Sequence, residues 1–294
     1  MEANGKIDWQ YLQNNANNIL AEGLSKLSNS LYYDFDNKFP KNYGNYVISH
    51  NGTPLYIGEA SDLDKRRKEH LKGSTFYKNY LKDGKELNLP LGLSMNEFKI
   101  QHLLTQLGRK DLEEFGIVNL PAPLNKFQVN KRKLFSPESS TRLWDSIQEN
   151  AFGLLCQAEK TVFSKRPIPW SKVDVSHIPG VYIIFNSHND LIYIGESTSL
   201  LERYTTHSTK TRFSAFRRHI AVDIFTFTLK TKSELGVQST DKKRMFVNMQ
   251  EDREITQYIN ECKVIINEIN FGRLELEEYL IRNLRPLLNS KGNK

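Results

Sequence analysis

The chain has 294 residues, room for two domains with cores of their own. At 38% hydrophobic and 26% charged residues it is neither apolar enough for a membrane protein nor biased enough for a disordered one. The formal charge of +7 is compatible with a nucleic-acid partner without demanding one. The first residues, Met1-Glu2-Ala3-Asn4-Gly5-Lys6, carry no apolar run behind a basic start, and no apolar stretch is long enough to span a bilayer. The expectation is a cytoplasmic protein with no membrane partner. Cys156 and Cys262 stand in apolar surroundings without metal-ligand spacing and read as buried free thiols.

In chain order, a leader helix begins at Trp9. Two short β-rich runs, 47–50 and 55–58, flank Asn51-Gly52, a strong hairpin signal. Ser61 or Asp62 can cap a helix over 63–71. A further helix carries Glu113 and ends near Pro121 and Pro123. The basic, polar stretch 130–141 reads as a linker. Beyond it come a second leader helix at Trp144, strands over 182–185 and 191–194 around a looser turn, and a Ser199-capped helix over 200–207. A helix carrying Glu277 ends near Pro286.

These elements form a repeat. Gly44-Asn45-Tyr46-Val47-Ile48 and Leu55-Tyr56-Ile57-Gly58-Glu59 have counterparts in Gly180-Val181-Tyr182-Ile183-Ile184 and Ile192-Tyr193-Ile194-Gly195-Glu196. Gly108-Arg109, Leu112-Glu113-Glu114 and Leu124-Asn125 have counterparts in Gly272-Arg273, Leu276-Glu277-Glu278 and Leu288-Asn289. The leaders match as well, Trp9-Gln10-Tyr11-Leu12-Gln13-Asn14-Asn15-Ala16 against Trp144-Asp145-Ser146-Ile147-Gln148-Glu149-Asn150-Ala151. The expected organisation is an N-terminal domain at 1–128, a linker at 129–142 and a C-terminal domain at 143–294. Each domain is mixed α/β (α+β), a short central sheet flanked by helices.

Gly-x-Tyr followed about ten residues later by Tyr-Ile-Gly resembles the GIY-YIG nuclease family. Its pattern continues with an Arg on the next helix, a His or Tyr one turn on, a Glu and an Asn. Residue by residue, the resemblance implies a first site of Tyr46, Tyr56, Arg66, His70, Glu113 and Asn125. It implies a second of Tyr182, Tyr193, Arg203, His207, Glu277 and Asn289. Asn45 and Val181 depart from the middle Ile of the first motif. The roles have physical sense: phosphodiester hydrolysis needs an activated water, charge stabilisation and help for the leaving group. One carboxylate, Glu113 or Glu277, can hold a hydrated Mg²⁺ or a similar cation such as Mn²⁺. Arg66 and Arg203 can clamp phosphate oxygens, with His70 and His207 beside them at i+4. A motif tyrosine or the histidine is the candidate general base, and the sequence leaves that choice open.

From Arg203 to Glu277 the second copy is longer by 27 residues than the first from Arg66 to Glu113. This basic insertion brings Lys210, Arg212, Arg217, Arg218, Lys242, Lys243 and Arg244, interleaved with Phe213, Phe216, Phe225 and Phe227. Together with Lys65, Arg67, Lys68 and the linker's Lys131, Arg132 and Lys133, these are the expected DNA contacts. Two sites in one chain suggest a monomer cutting both strands of double-stranded DNA, closest in character to restriction endonucleases. Two alternatives stand beside it: a structure-specific or mobile-element nuclease, and a DNA-binding module with one or both sites inactive.

Overall fold

The computed structural model describes residues 7–73, 75–125, 143–209 and 211–289. They divide into two compact units, the first being 1–157 with 270–275, the second 158–269 with 276–294. The division differs from the expected limits because residues 144–157 and 270–275 pack with the first unit.

Unit 1 opens with α1 (Trp9–Asn14) and α2 (Ala16–Ser28). The expected single leader helix is broken at Asn15, whose side-chain amide takes the Tyr11 carbonyl at 2.9 Å. Strands β1 (Gly44–His50) and β2 (Thr53–Ala60) form the hairpin, with Asn51 and Gly52 at φ of 48° and 77°. Positive φ at both turn residues is the type I′ requirement that an Asn-Gly pair meets. Then follow α3 (Leu63–Leu71), α4 (Thr75–Asp83), β3 (Lys99–Leu104) and α5 (Arg109–Asn119). Of the two candidate caps for α3, Asp62 takes the role, accepting the Lys65 N–H at 2.8 Å. The sheet order is β2-β1-β3, all antiparallel, with β1 central and almost wholly buried. α5 lies close on β2: a Cβ at Gly116 would stand 2.3 Å from the Ile57 side chain. Phe35, Phe76, Tyr80 and Phe98 fill a second part of the core beside the motif tyrosines.

The N-terminal end of α5 is set in a buried ionic cluster. Arg109 pairs with Glu275 at 2.9 Å and reaches Glu59 at 3.5 Å. Arg273 pairs with Asp111 and Glu114. The backbone N–H of Gly108 donates to Glu275, and that of Gly272 to Asp111. Both glycines adopt positive φ, and a Cβ on Gly108 would strike Phe271 at 2.6 Å. Charges this deep are tolerated because each is paired and hydrogen-bonded; a lone one would be strongly destabilising.

The next helices are α6 (Trp144–Glu149) and α7 (Ala151–Val162), broken at Asn150 as α1 and α2 are at Asn15. α6 and most of α7 belong to unit 1; unit 2 takes the rest of α7, then β4 (Ile168–Pro169), β5 (Gly180–Phe185), β6 (Leu191–Ser197), α8 (Leu200–Thr209), α9 (Ala215–His219), α10 (Met249–Asn260), β7 (Lys263–Glu268) and α11 (Arg273–Leu284) from residue 276 onward. Its sheet runs β4-β7-β5-β6, so three strands repeat the order of the first sheet and β4 adds a short edge. Ser199 caps α8 through the Glu202 N–H at 3.2 Å. The extra length of this unit is spent on the turns around Ile220–Ile224 and Ser233–Leu235, a Lys230–Phe246 bridge and α10. Phe225 and Phe227 stack there at 5.1 Å, and Phe225 meets Tyr258 edge-on. Cys262 is buried, which pushes its thiol up to about 12, whereas Cys156 is only half-buried, not buried as expected. Among the described residues no helix is long and apolar enough to cross a membrane.

Candidate active site

In unit 1 the central strand presents Tyr46 and the edge strand Tyr56, with ring centroids 6.3 Å apart and nearly parallel. The tyrosine hydroxyl lies over the backbone of the second motif's glycine: a Cβ on Gly58 would fall 2.3 Å from the Tyr46 oxygen. That close approach gives the glycine of Tyr-Ile-Gly its reason. α3 then supplies His70, whose Nε2 meets the Tyr46 hydroxyl at 3.0 Å. Burial, aided by the Arg66 charge, lowers the His70 pKa to about 3, so the ring is neutral at ordinary pH. Arg66 stays half-exposed, pairs with Glu69 at 3.1 Å, and its charge acts on both tyrosines. Glu113, on α5, is raised above the ordinary carboxylate range by burial, against the pull of Lys110. Lys110 Nζ lies 2.5 Å from its Oε2. Its neighbour Glu114 is the buried partner of Arg273, which leaves Glu113 as the carboxylate facing the tyrosines.

Unit 2 holds the same arrangement. Tyr182 and Tyr193 lie 6.2 Å apart, and a Cβ on Gly195 would meet the Tyr182 oxygen at 2.2 Å. His207 Nε2 contacts the Tyr182 hydroxyl at 2.9 Å and its Nδ1 contacts Ser214 Oγ at 2.7 Å. Ser214 is fully buried and already accepts the Arg217 N–H at 3.0 Å, so its own proton is best placed on Nδ1. Nε2 then carries the ring proton and donates to Tyr182. Burial, with Arg203 and Arg217 adding to it, drives the His207 pKa well below its ordinary value. Burial likewise raises Tyr182 well above 10 and Tyr193 to about 12. Burial and the nearby Glu196 carboxylate push Glu277 to about 8, while the Glu196 N–H donates to it at 3.1 Å.

Not every expected residue reaches these centres. Asn125 accepts the Ile57 N–H at 2.9 Å and donates to the Ile57 carbonyl at 2.8 Å. Asn289 does the same to Ile194 at 2.7 and 2.8 Å. Each amide thus bridges the N–H and C=O of the edge-strand residue next to the outer tyrosine, in the manner of a further strand. Arg67 is buried, held by Asp64 and the Phe35 carbonyl, and Arg217 is fully buried among Thr211, Asp252, Thr256 and the His207 carbonyl. Neither is free for DNA. Lys65 and Lys68 are exposed, Lys68 beside Asp64. Arg212 lies over Phe213 and Phe246 with Asp241 at 3.5 Å, and Arg244 pairs with Glu234 at 2.6 Å. Lys242 and Lys243 are exposed. Lys131, Arg132, Lys133 and Lys210 lie outside the described residues. Sequence reasoning missed Ser214, whose only signal was its place as the cap of a short helix, and Lys110, one turn before Glu113.

Residues 161–294 match the family model of the GIY-YIG catalytic domain. The match takes in Tyr182, Tyr193, Arg203, His207, Glu277 and Asn289, and it supports a nuclease with DNA as its substrate. No curated protein matches the chain. Members of the GIY-YIG domain family generally use a divalent metal ion. Among the described residues no three carboxylate, histidine or cysteine side chains gather into a ligand cage. The donor set of the GIY-YIG domain here is one buried carboxylate beside two phenols. That suits a hard, largely hydrated cation, which needs few protein ligands.

Proposed function

We propose that the chain is a fused duplication of the GIY-YIG domain and works as a Mg²⁺-dependent endonuclease of restriction type. In this reading it is a monomer that cuts both strands of duplex DNA, one at each site. The observation that carries the proposal is the recurrence, in both units, of the buried tyrosine–histidine pair at 3.0 and 2.9 Å, each with its arginine and its buried glutamate.

Glu113 and Glu277 would hold the cation; when bound, it supplies Lewis acidity at the phosphoryl oxygens and acidifies the attacking water. Arg66 and Arg203 take the non-bridging phosphate oxygens. The histidines, neutral and hydrogen-bonded, are poor proton acceptors. The inner tyrosines are the better general bases: His207 donates to Tyr182 and so favours its anionic form, and a cation nearby lowers a phenol's pKa further. The exposed lysines of α3 and of the insertion follow the DNA backbone.

Supercoiled plasmid with Mg²⁺ tests this. The wild type is expected to linearise it, and Glu113→Ala and Glu277→Ala each to stop at the nicked circle. Full linearisation by either variant removes the assignment of one strand to each site. Retention of full activity by the double variant removes the nuclease assignment of these sites.

A further inference from the structure

Each site has a second cation near its outer tyrosine, and the two come from different elements. In unit 1 it is Lys110, in the first turn of α5, whose charge acts on Tyr56. The corresponding position of α11 is Leu274, which has no charge to offer. In unit 2 the charge comes from Arg218, on α9.

Several contacts fix α9 against the site. Ser214, its cap, hydrogen-bonds His207 at 2.7 Å. Phe216 packs on Tyr193 and His207 with centroids at 5.0 and 5.4 Å. Arg217 ties the helix to the His207 carbonyl at 3.0 Å and to Asp252 at 2.8 Å. Arg218 follows, with one guanidinium nitrogen, Nη1, on the carbonyls of Arg212 at 2.7 Å and Thr211 at 3.4 Å. This anchors one edge of the guanidinium and leaves Nε and Nη2 without a partner among the described residues. Other cations of the same region are neutralised: Arg212 by Asp241, Arg217 by Asp252, Lys230 by Glu251 and Arg244 by Glu234. Arg218 forms no ion pair among the described residues. Its charge nevertheless acts on the Tyr193 hydroxyl, as does that of Arg203.

We infer that Arg218 is a phosphate-binding residue of the unit 2 site, closing with Arg203 on the phosphodiester held beside Tyr193. A planar fork with one edge anchored and one edge open is suited to an anion with two adjacent oxygens. In this role Arg218 is part of the site itself, apart from the exposed lysines of the insertion, which meet the backbone elsewhere. The inference rests on the nuclease reading.

Two measurements on the full chain test it. In a Glu113→Ala background, where unit 2 alone nicks, Arg218→Ala is expected to lower kcat by 10- to 100-fold, with Arg218→Lys recovering part of the loss. In a Glu113→Ala/Glu277→Ala background without divalent metal, the salt dependence of duplex oligonucleotide binding is read. Arg218→Ala is expected to reduce the slope of log K against log salt by about one. Unchanged kcat with unchanged slope overturns the inference. A fall in kcat with an unchanged slope assigns Arg218 to holding α9 and overturns it too. A reduced slope with unchanged kcat moves the phosphate contact away from the reacting one and likewise overturns it. If the wild type cleaves nothing, the nuclease reading fails, and the slope alone decides the phosphate contact.

Discussion

The two sites share their tyrosines, histidine and arginine but hold the glutamate differently. Glu113 has an ammonium against it; Glu277 has a backbone N–H and the Glu196 carboxylate nearby. Both carboxyls are pushed up by burial; the Lys110 charge opposes this at Glu113, while the Glu196 carboxylate adds to it at Glu277, which reaches about 8. The two candidate sites therefore hold their glutamates with different partners. The lesson is that one plan can place different charges, an ammonium or a carboxylate, against the same buried glutamate.

The largest expected effect probes the cluster at the start of α5 and α11. Arg273→Leu strands Asp111 and Glu114, both almost fully buried, and is expected to cost about 3–5 kcal/mol. Arg109→Leu strands Glu275 and the more exposed Glu59 and should cost less. Urea unfolding of both proteins checks the order; equal losses would remove the distinction.

Next comes the glycine beneath the tyrosine. Gly195→Ala is expected to displace Tyr182 and cut nicking at its own site about 100-fold, roughly 2.7 kcal/mol, with Gly58→Ala doing the same at the other. Strand-specific labelling of a duplex reads each site separately, and loss of both cuts from either variant would break the independence of the sites.

The pH dependence separates the two kinds of buried group. Glu277 has a folded-state pKa of about 8, above its ordinary 4.5. The folded state holds a proton that the unfolded state has released, so stability falls as pH rises from 4.5 to 8, by at most about 1.4 kcal/mol per pH unit. Glu277→Gln should therefore be the more stable protein at pH 8 and indistinguishable near pH 4.5. His70 acts in the opposite sense: at about 3, its folded pKa lies below 6.5, so its contribution is complete above 6.5 and is lost as pH falls below it. Thermal melts of wild type and Glu277→Gln between pH 4.5 and 8 check the first, and His70→Gln between pH 7 and 5 the second.

The smallest effect exchanges the difference itself. Lys110→Leu makes the first site resemble the second and should raise the Glu113 pKa further, shifting its metal uptake to higher pH. Isothermal titration with Mg²⁺ across pH, in a Glu277→Ala background, measures it. An unchanged midpoint would show that the lysine does not govern the carboxylate.

Much of this was legible in the residues. The hairpin followed from Asn51-Gly52, whereas the pairing of Tyr46 with His70 and of Tyr182 with His207 lies between separate strands and helices and was implied only by the resemblance to the GIY-YIG family. What the sequence hid was settled by distant partners. Arg67 and Arg217 read as surface cations, yet the Phe35 carbonyl and Asp252, both far off in the chain, hold them inside. Asn125 and Asn289 read as reacting groups, yet an amide fits an edge strand's free N–H and C=O equally well. The breaks at Asn15 and Asn150 depend on a side chain competing with the helix for a carbonyl, which an apolar period does not report.

The ionic cluster has a practical consequence for anyone dissecting the molecule. A fragment ended at residue 128 would keep Arg109, Asp111 and Glu114 but lose Glu275 and Arg273, the partners that neutralise them, along with Trp144, which lies against Gly23. Truncation at the apparent linker would thus leave ions buried without counterions and a hole where an indole belongs. The two pieces should be insoluble when produced apart and recoverable when produced together, so split reconstitution, rather than isolated halves, is the way to study either site alone.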